Sequence, residues 1–91
     1  MKSHYSPKAK VVIGNKAEPG DGFIALENVP SPSGVIRLAS PVNVDEYARV
    51  FYNALRSGDQ KGLNKIVVCE PVGEGMAIAI RDRVRKAIGL G

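Results

Sequence analysis

The sequence predicts a small α/β domain built on a mostly parallel sheet of about four strands, with two main helices. Three observations carry this. Four short apolar runs rich in Val and Ile are separated by Gly, Pro, Asn and Asp. Two longer stretches place apolar residues at three- and four-residue spacing. A helix lies between the third and fourth strands, and such a crossover favours parallel pairing of those two strands with a right-handed connection. Ninety-one residues are enough for one domain and not for two.

Lys10-Val11-Val12-Ile13 is the first strand, bounded by Gly14. Pro19-Gly20-Asp21-Gly22 is a dense turn signal, and Phe23-Ile24-Ala25-Leu26 is the second strand. Pro30 and Pro32 make 28–34 a loop before the third strand, Val35-Ile36-Arg37-Leu38. Asn43 followed three residues later by Glu46 gives a capping-box pattern for the first helix. Its buried stripe is Val44, Tyr47, Ala48, Phe51, Ala54 and Leu55, with Arg49, Asn53 and Arg56 on the wet side. Gly58 or Gly62 ends it, with Asp59-Gln60-Lys61 as a frayed exit.

Lys65 to Glu70 is the fourth strand. Its unbroken apolar run suggests a central strand covered on both faces. Pro71-Val72-Gly73 turns into the second helix, whose apolar face is Met76, Ala77, Ile80, Val84, Ala87 and Ile88. Two helices cannot fully cover both faces of such a sheet, so one face is left for a partner domain.

Composition narrows the function. Hydrophobic content of 44% with 24% charged residues excludes a disordered-type chain. The longest apolar run, Met76 to Ile80, is far short of a membrane span of about 20 residues. One histidine and one cysteine offer no metal-ligand set, and Cys69 reads as a small buried hydrophobe rather than a reactive thiol. From these features we expect a cytoplasmic location.

The net charge of +4 invites nucleic acid as a partner. The cations fall in two places: Lys2, Lys8 and Lys10 near the start, and Arg81, Arg83, Arg85 and Lys86 on the last helix. The helix dipole and an Asp82–Lys86 pair explain the second group as a solvated face. The Gly73-Glu74-Gly75 turn follows a strand and opens a helix, where phosphates bind in nucleotide folds. It lacks the full glycine fingerprint, and Glu74 would repel an anion, so Gly73 and Gly75 read first as a helix start and second as a ligand turn. Glu70 reads first as an exposed strand-end acid and second as an acid able to approach a ligand at the sheet's carboxyl edge. The serines form no nucleophile elbow, and no catalytic residue is assigned.

At the start of the chain, Lys2, His4 and Tyr5 precede Pro7, which pushes Ser6 towards an extended conformation. Two readings stand: an incidental terminus, mobile up to about Pro7, or an extended basic tail that lies across a neighbour's groove.

Three motifs, in order, resemble the C-terminal domain of two-domain threonylcarbamoyl-AMP synthases. Lys2-Ser3-His4-Tyr5-Ser6-Pro7-Lys8 resembles the end of that family's interdomain linker. Ala48-x-x-Phe51-Tyr52-x-Ala54-Leu55-Arg56-x-x-Asp59-x-x-Gly62 resembles its Ala-Leu-Arg helix. Gly75-Met76-x-x-Ala79-Ile80-x-Asp82-Arg83-Val84 resembles its terminal motif, with Ala77 in place of a second glycine. Gly58 stands where the family usually has an apolar residue.

The resemblance implies a linker end at 1–9 and a Rossmann-like accessory domain at 10–91. It implies a parent enzyme that makes threonylcarbamoyl-AMP from threonine, bicarbonate and ATP for tRNA modification. ATP and a divalent metal belong to a separate YrdC-like catalytic domain, so no cofactor is expected in this chain and the chain alone is expected to be inactive. Lys2, His4 and Tyr5 become linker contacts to that domain, with tRNA or other tRNA-modification proteins as further partners. Two alternatives stand beside it: a free-standing basic nucleic-acid-binding module, and a small nucleotide-binding protein.

Overall fold

The computed structural model describes residues 6–87. Strands β1 (Lys10–Ile13), β2 (Gly22–Ile24) and β3 (Ile36–Ala39) precede helix α1 (Val44–Gln60), strand β4 (Lys65–Val68) and helix α2 (Met76–Arg85). The four strands form one sheet in the order β1-β4-β2-β3, and every pairing is parallel. The small α/β class with a parallel sheet is therefore as the sequence predicts.

The strand order corrects one expectation. β4 does not pair with β3; it inserts between β1 and β2. Ile66, Val67 and Val68 have no exposure, which only an inner strand covered on both faces provides. β3 carries Arg37 and is half-buried throughout, which suits an edge.

Side chains alternate across the sheet. Val11, Ile24, Ile66 and Val68 face α1 and α2, where they meet Tyr47, Phe51, Leu55, Ile80 and Val84. Phe23, Ala25 and Val67 face the other way. Both helices thus cover one face. The opposite face is not left bare at its centre, contrary to expectation: Ala17, Val29 and Val35 from the connecting loops pack over it, and Phe23 and Val67 have no exposure.

The ends of the elements have local causes. Asn43 Oδ1 accepts from the Glu46 N–H at 2.8 Å, capping α1. The Glu46 carboxylate reaches back one residue further than a capping box requires and accepts from the Val42 N–H. Of the two candidate terminators, Gly62 is the one used, with φ +74° just past the cap. Gly58 lies inside α1 and is buried; a Cβ there would meet Ile66 Cδ1 at 2.6 Å, so glycine lets the helix approach β4. On α2, Ala77, Ile80, Val84 and Ala87 are buried as expected, but Met76 is 45% exposed because it sits at the helix entry. Ile88 lies outside the described residues.

Candidate functional site

A parallel sheet brings all its strand starts to one end and all its strand exits to the other. α1 runs back against the strands, so its last turn lies at the amino end of the sheet and its first turn at the carboxyl end.

At the amino end the chain entering β1 is fixed to α1. The Asp59 carboxylate accepts from the Lys8 N–H at 3.0 Å and from the Ala9 N–H at 3.0 Å. Ala9 itself is buried. Asp59 is therefore a docking residue and not part of a frayed exit. Ser6, Lys8, Arg56, Asp59 and Gln60 line a shallow depression beside this contact. Nearby, Asp21 pairs with Lys65 at 3.2 Å and accepts from the Glu18 N–H at 2.9 Å. The Glu18 hydrogen bond is the main cause that holds the Asp21 carboxyl below the ordinary carboxylate value, opposed by desolvation and assisted by Lys65.

At the carboxyl end one guanidinium organises the loop between β2 and β3. Arg37 donates from Nε to the Ala39 carbonyl, from Nη1 to the Val29 carbonyl and Ser31 Oγ, and from Nη2 to the Ala25 and Leu26 carbonyls. Those five bonds use all five of its N–H groups. Its carbon centre also lies 5.4 Å from the centroid of the Phe23 ring. The capture of the Ala25 and Leu26 carbonyls explains why β2 stops at Ile24, two residues earlier than the apolar run.

Tyr47, buried in the first turns of α1, donates its hydroxyl to the Cys69 carbonyl at 2.9 Å. Burial pushes this phenol well above its ordinary range, with Cys69 and Glu70 adding to the rise and Arg37 opposing it. Burial also pushes the Cys69 thiol up; Arg37 offsets this in part and Glu70 reinforces it. A raised thiol is the opposite of an activated nucleophile; Cys69 packs against the Phe23–Val67 cluster but is half-buried rather than buried as the sequence suggested.

Glu70 is the outlier. It is half-buried rather than exposed, and its Oε2 is buried without a hydrogen-bond partner among the described residues. It lines a concavity of about 270 Å3 together with Ile13, Gly14, Pro71, Val72 and Arg81. Arg81 donates to the Pro71 and Gly73 carbonyls, both at 3.0 Å, and so ties α2 to the loop after β4.

The residues singled out from the sequence fall in different places. Lys2, His4 and Tyr5 lie outside the described residues. Gly73 has φ +115° and offers its carbonyl to Arg81; Gly75 has φ +66° and precedes α2 with no side-chain cap. The Ala77 and Ile78 N–H groups donate to the Glu74 and Gly75 carbonyls, so they are turned inward rather than towards a bound anion. The cations of α2 are also engaged. Besides Arg81, Arg83 donates to the Ala48 carbonyl at 3.4 Å, and Lys86 pairs with Asp82 at 3.3 Å. No helix among the described residues is long and apolar enough to cross a membrane. Sequence reasoning missed Arg37 and underrated Glu70. The one available signal was a charged residue inside an otherwise apolar strand.

Residues 1–89 match the family model described as the C-terminal domain of threonylcarbamoyl-AMP synthase. The chain belongs to that family. A solved structure of Sua5 from P. abyssi, in a variant with an adjacent histidine and tyrosine both changed to alanine, is similar over 91% of this chain. The TM-score is 0.65 and the identity 24%, which establishes a shared fold. The chain spans 28% of that protein's length. No curated protein matches the chain.

Proposed function

We propose that this chain is the accessory domain of an L-threonylcarbamoyladenylate synthase, with residues 1–9 as the end of the linker from a YrdC-like catalytic domain and 10–91 as the domain proper. It supports threonylcarbamoyl-AMP formation from threonine, bicarbonate and ATP, and carries no catalytic residue itself. Family membership supports the context. The observation that carries the mechanism is the Asp59 contact. Two successive backbone N–H groups, Lys8 and Ala9, are held by one carboxylate where the linker reaches the domain. A fixed point at Lys8 and Ala9 gives the linker a defined place of departure from the domain.

In this reading the linker residues cover the catalytic cleft in the neighbouring domain. Covering it shields a labile mixed anhydride from water, and opening it releases product. ATP and the divalent metal stay in that domain, and tRNA or other tRNA-modification proteins are met by the whole enzyme in the cytoplasm.

Two measurements test the proposal. The purified chain supplied with ATP, threonine and bicarbonate forms no threonylcarbamoyl-AMP; formation of that product would refute the assignment. Tyr5→Ala leaves the melting temperature of the chain unchanged but lowers synthesis, or speeds loss of the intermediate, when the chain is joined to its catalytic domain. A large melting loss with unchanged turnover would make Tyr5 a packing residue and end the linker-cover mechanism.

A further inference from the structure

The connections that leave neighbouring strands β1 and β4 diverge to opposite faces of the sheet. The segment after β1 crosses the loop-covered face, where Ala17 packs on the Phe23–Val67 cluster. The segment after β4 leads to α2 on the helix-covered face. In open parallel sheets such a divergence leaves a crevice at the carboxyl ends of the strands, and ligands bind there. β4 has a second neighbour, β2, but that side is closed. The Cys69 N–H donates to the Ile24 carbonyl at 2.8 Å, and the Tyr47 hydroxyl covers the Cys69 carbonyl. On the β1 side the Gly14 N–H donates to the Val68 carbonyl at 3.0 Å, and beyond that bond lies the concavity of about 270 Å3.

Its wall carries two opposite charges that do not neutralise each other. No Glu70–Arg81 ion pair forms among the described residues. Glu70 holds a buried oxygen that lacks a donor among the described residues, a condition native proteins seldom leave unexplained. Arg81 uses one bond from each terminal nitrogen on the chain's own carbonyls, which leaves further N–H groups on a guanidinium of five. Ile13 and Val72, 46% and 88% exposed, supply apolar surface at the rim.

We infer that this crevice binds a small zwitterion, an α-amino acid: its ammonium goes to Glu70, its carboxylate to Arg81, and its side chain to Ile13 and Val72. The ammonium approaches the Glu70 carboxylate from the concavity that Glu70 lines, and a carboxylate matches the fork of the guanidinium. Neither a phosphate nor a simple amine satisfies both walls. The site belongs to this chain alone and stands or falls independently of the linker proposal.

The test is a titration of the 15N-labelled 91-residue chain with each of the twenty L-amino acids, with methylammonium and acetate as single-ended probes. The expected result is saturable shifts at Ile13, Gly14, Glu70, Val72 and Arg81 for at least one amino acid, with Kd of about 10 mM or tighter. Glu70→Gln keeps the fold, shown by unchanged peak dispersion, and weakens that binding at least about tenfold. Arg81→Gln weakens it too, and the two variants separate the ends of the ligand: methylammonium responds to the first only and acetate to the second only. Absence of saturable shifts with every amino acid overturns the inference, as does binding unchanged by Glu70→Gln. Methylammonium binding as tightly as the best amino acid overturns the zwitterion and leaves a cation site.

Discussion

The two ends of the sheet are built on different terms. At the amino end the charged groups described above have partners: Asp59 holds Lys8 and Ala9, and Asp21 holds Lys65 and Glu18. At the carboxyl end Arg37 is saturated while Glu70, past the end of β4, keeps an oxygen with no donor among the described residues. A satisfied end is suited to anchoring a segment of chain. An end with an unmet acceptor is suited to receiving something else. The difference separates attachment from recognition within one small domain.

The largest effect belongs to Arg37. Arg37→Met removes five hydrogen bonds and leaves several half-buried carbonyls without donors. We expect a loss of about 2–4 kcal/mol by denaturant unfolding. A loss within about 0.5 kcal/mol would mean that the loop between β2 and β3 holds itself, as an ordinary surface substitution would indicate.

Asp59→Ala at the other end removes one acceptor shared by two amides, at a cost of about 1–2 kcal/mol. The sharper readout is local: amide exchange at Lys8 and Ala9 accelerates while the β4 amides keep their protection. Uniform acceleration would show that Asp59 supports the whole fold rather than the docking of the entering chain.

Glu70→Gln is expected to be neutral, or stabilising by up to about 1 kcal/mol, because an uncharged amide is less costly than a carboxylate with an unmet oxygen. Clear destabilisation would show that the Glu70 charge is compensated in the folded state and that the two ends are alike.

The smallest effect is the acid response of Asp21. Its folded carboxyl lies below the ordinary carboxylate value, so its contribution is complete above that range and is lost as pH falls through the folded value. Asp21→Asn should therefore lower stability slightly at neutral pH and leave it nearly unchanged below the folded value, which flattens the acid limb of the stability curve. An unchanged acid limb, or a loss as large at low pH as at neutral pH, would contradict the pairing with Glu18 and Lys65.

Much of the fold was legible because periodicity reports burial. The α1 stripe of Tyr47, Phe51, Ala54 and Leu55 is buried, and the unbroken Ile66-Val67-Val68 run marks the central strand. What was not legible depends on partners distant in sequence. The placement of β4 beside β1 rather than β3 follows from which strands can cover it, and local pattern carries no trace of that. Arg37 looks like a charge in a strand until its acceptors at residues 25 to 39 are brought around it. Asp59 looked like helix-exit polarity because its partners lie about fifty residues earlier. Glu70 lay at a position the sequence could mark as a strand end, but whether its carboxylate finds a donor is decided by the packing around it.

The most direct test of the accessory-domain account is the turnover of the two-domain synthase carrying Asp59→Ala, measured as threonylcarbamoyl-AMP formed per enzyme alongside amide exchange at Lys8 and Ala9. The account predicts that releasing these two amides lowers turnover several-fold while the domain stays folded, because the linker residues lose their fixed point of departure. Released amides with wild-type turnover would contradict it.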